Sequence, residues 1–124
     1  MAHDRKKLGN FGEQAAASYL ARQGYAIMER QWRGPGGELD LVARDGAVLV
    51  FVEVRTRRGD TAGAAEESVG RTKQSRLVNL AYAYLEAHAL APDSEWRIDV
   101  VAVAVDHGGR VARLSHIPYA VEAV

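Results

Sequence analysis

One stretch of the chain is almost entirely apolar and yet carries a charge near its end. Residues 48–54 read Val-Leu-Val-Phe-Val-Glu-Val, which leaves Glu53 as the one ionisable side chain of the run. Continuous apolar runs are typical of strands covered on both faces, whereas half-exposed strands alternate apolar and polar residues. Burying an ionised carboxylate is costly unless a cation or hydrogen-bond donors meet it. The run therefore predicts a central strand of a covered sheet, with a partner for Glu53.

A hairpin turn brings a second carboxylate toward Glu53. The dipeptide Asp45-Gly46 separates two apolar segments and predicts a two-residue turn whose central residues both adopt positive φ. Counting outward places Asp40 opposite Phe51 and diagonal to Glu53 on the same face, about 7–8 Å away at the backbone. We expect one divalent cation to bridge Asp40 and Glu53. In this register Glu38 lies directly opposite Glu53, where like charges repel unless a cation or solvent intervenes. The alternative is a strand end whose polar tip has simply reached water.

The composition limits the classes of protein to which the chain can belong. Its 124 residues fit a single domain, predicted to span residues 1–124. Cysteine is absent, which excludes disulfides and thiolate metal sites, and the four histidines show no metal-ligand spacing. The N-terminus is charged and no apolar stretch approaches the length of a membrane span. We therefore expect a soluble cytoplasmic protein with no membrane association and no zinc site.

The net charge of zero argues against a nucleic-acid-binding protein, but the basic residues are unevenly placed. Two groups follow the apolar strand, one directly after it and one on the next predicted helix: Arg55, Arg57 and Arg58, then Arg71, Lys73 and Arg76. Thirteen of the sixteen basic residues are arginine, so a solvated, arginine-biased surface explains the groups equally well. A basic patch and an ordinary surface both remain open on this ground alone.

Cap and turn signals divide the chain into seven elements in the order αβββαββ. They predict a helix over 10–24, strands over 25–33, 38–44 and 47–56, a loop over 57–67, a helix from Ser68 or Thr72 to about 89, and strands over 96–105 and 110–117. Asn10 and Glu13 have the spacing of a capping box at the first helix. Helices between apolar strands usually pack on a sheet face, so the order predicts an α/β fold with a mixed sheet flanked by helices.

Two segments carry a resemblance to a known family. Asp40 and Glu53-Val54-Arg55, preceded by Glu13, resemble the PD-(D/E)XK nuclease core. More specifically, residues 37–43 (Gly-Glu-Leu-Asp-Leu-Val-Ala) and 51–57 (Phe-Val-Glu-Val-Arg-Thr-Arg) are similar to the small bacterial YraN family. The similarity extends to Gly12, Lys73 and residues 97–100 and covers nearly the whole chain. It implies a restriction-endonuclease-like fold.

The resemblance also implies roles for particular residues. Asp40, Glu53 and the Val54 carbonyl would hold Mg²⁺ or Mn²⁺, the cations that prefer oxygen ligands. Glu13 would help to hold the site or its water, although a capping-box glutamate needs no such role. Lys73 and Gln74 would contact substrate or supply a relocated cation, although an exposed helix face explains them too. Asp99, on an apolar strand, is expected to be a buried acceptor for Arg97 or a backbone amide.

Arginine stands where the motif has lysine. Arg55 cannot lose its proton in a protein, so it cannot act as a general base for water. It can still bind phosphate and stabilise the negative charge that develops during phosphoryl transfer. The catalytic set implied by the resemblance is Glu13, Asp40, Glu53 and Arg55. The role of general base would pass to metal-bound hydroxide, to the substrate phosphate or to Lys73.

Three functions follow from these features. The first is a metal-dependent nuclease that hydrolyses phosphodiester bonds in nucleic acid, most simply DNA. The second is a non-catalytic nucleic-acid-binding module, and the third is an interaction or scaffold protein in which the acidic strand only forms salt bridges. The residues expected to contact nucleic acid are Arg57, Arg58, Arg71, Lys73 and Gln74. A homodimer or a partner protein would add basic surface, and the sequence leaves that alternative open.

Overall fold

A computed structural model describes residues 2–59, 69–91 and 93–121 as two helices and five strands. The elements are α1 (Ala2–Arg22), β1 (Ala26–Gly34), β2 (Gly37–Asp45), β3 (Val48–Arg58), α2 (Arg71–Ala87), β4 (Trp96–Val105) and β5 (Val111–Val121). They form one sheet in the order β1-β2-β3-β4-β5, in which β3 and β4 are parallel and the other neighbours antiparallel. The predicted α/β fold with a mixed sheet and helices is confirmed. Neither helix described is long and apolar enough to cross a membrane.

The central strand β3 is buried on both faces, as the apolar run predicts. Phe51 packs in a core cluster with residues of α2, among them Leu77 and Leu80. Val50 and Val52 point to the opposite face and pack in a second cluster with residues of α1, among them Leu20. Each face of the sheet is therefore covered by one helix, and the charged end of β3 emerges between them.

Several predicted boundaries differ from the observed ones. The first helix begins at Ala2 rather than at residue 10, so Asn10 lies inside α1 and the capping-box interpretation of Glu13 is wrong. The segment before Asn10 lacks an apolar pattern, but its charged residues are adequate helix formers, and one internal glycine costs only about 1 kcal/mol. Strand β5 runs past Pro118, which an edge strand tolerates. Most of the predicted loop 57–67, together with Ser68, lies outside the described residues, while Arg57 and Arg58 belong to β3.

The hairpin between β2 and β3 is shifted from the predicted register. Asp45 pairs with Val48, so the turn consists of Gly46 and Ala47 rather than Asp45 and Gly46. Only Gly46 has a positive φ, of 61°, which is the pattern of a type II′ turn, with glycine in the first central position. Moving the turn by one residue changes every cross-strand partner by two positions. Asp40 is therefore not opposite Phe51, which pairs with Val42.

Gly12 allows α1 to approach β3 closely, and its replacement tests that contact. A Cβ atom added at Gly12 would overlap the hydroxyl of Thr56, whereas one added at Gly9 in the same helix would meet no atom within 4 Å. We expect Gly12→Ala to lower the free energy of unfolding by about 1–3 kcal/mol, because the helix must shift away from the strand. Gly9→Ala should raise stability by up to about 1 kcal/mol through helix propensity. Urea unfolding of both variants measures the difference, and an equal gain in both would contradict the close approach.

Candidate metal and phosphate site

Strand β2 loses its regular alternation at Asp40. Leu39 packs in the cluster on the α2 side of the sheet, whereas Leu41 packs in the cluster on the α1 side. Residues two apart in a regular strand share a face, so the strand must twist between these two leucines. The neighbouring strand is irregular at the same level, since Gln31 has a φ of 52° and lies between the residues paired with Leu39 and Leu41. Such irregularities re-aim side chains at sheet edges and functional sites.

The Asp40 carboxylate replaces a backbone carbonyl as the hydrogen-bond acceptor between β2 and β3. Regular pairing reaches Leu41 and Val52, and beyond it the backbone N–H of Val54 donates to Oδ2 of Asp40 at 2.8 Å. Extending the observed register places Asp40 opposite Glu53, with which it shares a side-chain hydrogen bond. Burial and the charge of Glu53 raise the pKa of Asp40 to about 8, although the Val54 N–H works in the opposite direction. Without a cation, this carboxyl group holds its proton at neutral pH.

Two further carboxylates, one from α1 and one from β2, converge beside Asp40. One carboxylate oxygen each of Glu13, Glu38 and Asp40 lies within 4.8 Å of the others. Glu13 is positioned by Gln31, whose Nε2 donates to it at 3.0 Å. Burial raises the pKa of Glu13, and the nearby charges of Glu38 and Glu53 add to the increase. Three hard oxygen ligands at this spacing suit Mg²⁺ or Mn²⁺, with water and substrate completing the coordination shell.

Glu38 is a candidate ligand that the sequence pattern does not predict. The predicted register pairs Glu38 with Glu53, where the two charges would repel, rather than with the metal-binding oxygens. The signal that could have revealed it is the spacing of Glu38 and Asp40, two carboxylates at i and i+2 on one strand, which alternation places on the same face.

Glu53 points toward α2, on the side of the sheet opposite α1. Its side chain is buried, with 6% of the residue exposed, and its Oε2 lies 2.6 Å from Nζ of Lys73 on α2. The ammonium group of Lys73 and the hydrogen bond with Asp40 together stabilise the buried carboxylate of Glu53. The partner that the apolar run requires for Glu53 is therefore a lysine and a neighbouring acid among the described residues. Asp40 links the Glu53–Lys73 pair to the Glu13–Glu38 pair.

Two clefts flank the end of β3. The α1 cleft, of about 440 Å³, is lined among others by Arg5, Glu13, Asp40, Thr56, Arg57 and Arg58. The α2 cleft, of about 250 Å³, is lined among others by Glu53, Arg55, Thr56, Arg57, Gly70 and Lys73. Each cleft thus places carboxylates beside arginine or lysine. Cationic groups next to a metal-binding set of oxygens can hold a phosphate and neutralise its charge.

The structure brings most of the predicted site residues to these clefts, but not all. Arg71, the first residue of α2, and Gln74 line neither cleft. The Nε2 of Gln74 donates to the Val69 carbonyl at 2.6 Å, which supports the start of the helix. Arg5 also lines the α1 cleft, and the sequence does not predict it because its segment precedes the predicted first helix. No motif in the sequence marks it.

Asp99 lies apart from the clefts and has a structural environment. It is fully buried and accepts hydrogen bonds from Arg97 Nε at 3.0 Å and from the backbone N–H of Tyr119 at 3.0 Å. The expectation of a buried acceptor for Arg97 or a backbone amide is confirmed. A third donor, Nε2 of His116 at 2.7 Å, was not anticipated.

Comparison with known proteins places the chain in a family. Residues 12–103 match the family described as Uncharacterised protein family UPF0102. The chain belongs to the UPF0102 family. The resemblance to the YraN group is confirmed at this level. The matched range contains every carboxylate of the clefts and Lys73, whereas Arg5 lies outside it.

Relatives of similar length share about half of their residues with this UPF0102 chain. A UPF0102 protein of Roseiflexus castenholzii is 51% identical over 122 residues, which cover 98% of each chain. One of Chloroflexus aurantiacus is 50% identical over 121 residues, again 98% of each chain. One of Pelotomaculum thermopropionicum is 51% identical over 116 residues, which cover 94% of this chain and 96% of the relative.

Proposed function

We propose that this UPF0102 protein is a metal-dependent nuclease with a restriction-endonuclease-like PD-(D/E)XK core, acting on DNA. The observation that carries the proposal is the convergence of Glu13, Glu38 and Asp40 within 4.8 Å, since Glu13 and Asp40 line a cleft that Arg57 and Arg58 also line. A carboxylate cluster of this kind is stable at neutral pH only when protons or a cation neutralise it. An arginine wall next to it supplies the charge that a phosphodiester requires.

Two groups of residues would have separate roles, with the carboxylates binding the metal and the arginines binding the phosphate. Glu13, Glu38 and Asp40 would hold Mg²⁺ or Mn²⁺, and Glu53 would join them if its ion pair with Lys73 opens. When bound, such a cation lowers the pKa of its water and offsets charge on the scissile phosphate. The arginines at the end of β3 would orient the phosphodiester through paired N–H donors. The α1 helix would exclude water from the back of the site.

Proton transfer is the step in which the two clefts would cooperate. Arg55 cannot accept a proton, whereas the amine of Lys73 can do so once it is deprotonated. Lys73 lies 2.6 Å from Glu53 and half of its side chain is exposed, so a phosphodiester in the α2 cleft could reach it. We therefore propose Lys73 in place of the motif lysine, with Arg55 as a phosphate ligand.

One observation favours a second candidate, a nucleic-acid-binding module without catalysis. Lys73 already forms an ion pair with Glu53, and the motif lysine is replaced by Arg55. A protein of this kind would keep the arginine clefts and bind nucleic acid with a strong dependence on salt. It would not need the cation.

A cleavage assay combined with thermal unfolding separates the two candidates. Chelator-treated protein is incubated with supercoiled, linear, single-stranded and four-way-junction DNA and with RNA, with Mg²⁺, Mn²⁺ or no metal. We expect cleavage of DNA only with metal, and a Tm that rises with metal concentration because the ion binds the folded state alone. Salt-dependent binding without cleavage of any substrate would favour the binding module. A Tm unaffected by either ion would contradict the metal site itself.

A further inference from the structure

Three aromatic side chains surround a cavity at the edge of the sheet where β3 and β4 begin. The cavity measures about 490 Å³, and its aromatic lining consists of Tyr82, Trp96 and Tyr119. Tyr82 is 52% exposed and meets Trp96 edge-to-face, with 5.3 Å between ring centroids. Tyr119 is 70% exposed. Exposed, clustered aromatic rings are unusual on a protein surface and are enriched at binding hot spots.

Tyr119 is held in this position by a conformation that tyrosine rarely adopts. Its φ is 53°, in the left-handed region, and its N–H donates to the fully buried Asp99 at 3.0 Å. The guanidinium carbon of Arg97 lies 5.3 Å from the centre of the ring. A strained non-glycine residue persists only when its surroundings enforce it. Here the buried network enforces the display of a large aromatic ring to solvent.

The rest of the cavity lining consists of Val48, Ser94 and two acidic residues. Asp93 and Glu95 are exposed and border the cavity, and neither forms an ion pair with any residue in the described ranges. Aromatic faces together with free carboxylates attract a cation, and they repel phosphate. The guanidinium of arginine suits such a site best, because it stacks on aromatic rings and pairs with carboxylates in one plane. The lining therefore does not match a nucleic acid.

We propose that this cavity binds an arginine side chain presented by a partner protein. The cavity opens where β3 begins at Val48, whereas the carboxylate clefts surround the end of the same strand. The two sites are thus separated by most of a strand of 11 residues, so a partner docked at the cavity leaves the clefts open. The proposal does not depend on nuclease activity.

The test uses the two tryptophans as reporters in one spectrum. The peptide acetyl-Gly-Arg-Gly-amide is titrated into ¹⁵N-labelled protein, and the indole N–H signals of Trp96 and Trp32 are followed. We expect a saturable shift of the Trp96 signal, no shift of Trp32, and affinity at least about tenfold weaker for the matched citrulline peptide, which has the same shape without the charge. An equal response to citrulline, no saturable shift, or a shift of Trp96 with single-stranded DNA instead of the peptide would overturn the proposal.

Matched variants assign the effect to the cavity. The double variant Asp93→Asn with Glu95→Gln should weaken arginine binding at least about fivefold, because it removes both free charges. Tyr119→Asn should weaken it similarly, and asparagine tolerates the left-handed backbone, so the contact with Asp99 is kept. Glu86→Gln, an exposed residue of α2 outside the cavity lining, should bind as the wild type does. Wild-type affinity in the first two variants, each confirmed as folded by its amide spectrum, would place the peptide elsewhere.

Discussion

Replacing Asp40 with asparagine is expected to abolish metal-dependent cleavage while stabilising the metal-free protein. Asparagine can still accept the N–H of Val54 through Oδ1, and its Nδ2–H can donate to Glu53, so it reproduces the protonated form of Asp40. It cannot supply an anionic oxygen to a cation. We expect the rate of DNA cleavage with Mg²⁺ or Mn²⁺ to fall about 10³-fold, the scale of losing one preorganised electrostatic contact.

The stability part of this prediction depends on pH. The pKa of Asp40 is raised from 3.8 to about 8 in the folded protein, so the folded state binds this proton more tightly than the unfolded state does. Its contribution to stability is complete below pH 4 and is lost as the pH rises through 8. In chelator at pH 8.5, Asp40→Asn should therefore exceed the wild type in free energy of unfolding by at least about 1 kcal/mol, and the difference should shrink at pH 5.

The matched control is Asp45→Asn, at the other end of β2, where half of the carboxylate side chain is exposed. Cleavage by this variant should equal that of the wild type. Wild-type cleavage by Asp40→Asn would remove Asp40 from the metal site. A stability difference that does not vary with pH would instead contradict the burial of its carboxyl group beside Glu53.

The sequence predicted that Asp40 and Glu53 are neighbours, but it predicted neither their pairing nor the faces on which they lie. Gly46 can occupy either central position of a hairpin turn, and local sequence alone does not distinguish Asp-Gly from Gly-Ala as the turning pair. Because the two alternatives differ by two positions in cross-strand pairing, they preserve the alternation of faces. The register error alone would therefore keep Asp40 and Glu53 on one face. In the structure β2 loses its alternation at Asp40, so Asp40 lines the α1 cleft while Glu53 points toward α2, and the predicted shared face is wrong. The observed register nevertheless makes the two residues direct cross-strand neighbours.

The ligand set beside Asp40 could not be read from the same pattern. Leu39 and Leu41 pack on opposite faces, so the strand departs from the two-residue period that a regular strand pattern assumes. Predicting the position of Glu13 at the site requires the start of α1, and the charged segment before Asn10 has no apolar periodicity that would reveal it. Tertiary packing decided both points. The close contact of Gly12 with Thr56 is what brings Glu13 to the end of β3.

The second large effect is expected at Asp99, where Asp99→Asn should lower the free energy of unfolding by about 3 kcal/mol, because it removes one charge of a buried ion pair. Arg97 and His116 are nearly buried, with 9% and 11% of their side chains exposed, and both donate to this carboxylate. A loss of this size should lower Tm by roughly 10–15 °C for a domain of this length.

The control separates loss of charge from loss of shape. Asp106→Asn keeps an oxygen that can accept the Arg110 N–H in a less buried turn, and it should change stability by less than about 0.5 kcal/mol.

If Asp99 acts through Arg97, the double variant Asp99→Leu with Arg97→Met should be more stable than the sum of the two single losses predicts, with a coupling of about 1–3 kcal/mol. Additive losses in urea unfolding would mean that the two charges stabilise the junction of β4 and β5 independently. The single-residue cost would then reflect the unpaired donors of His116 and Tyr119 rather than the ion pair.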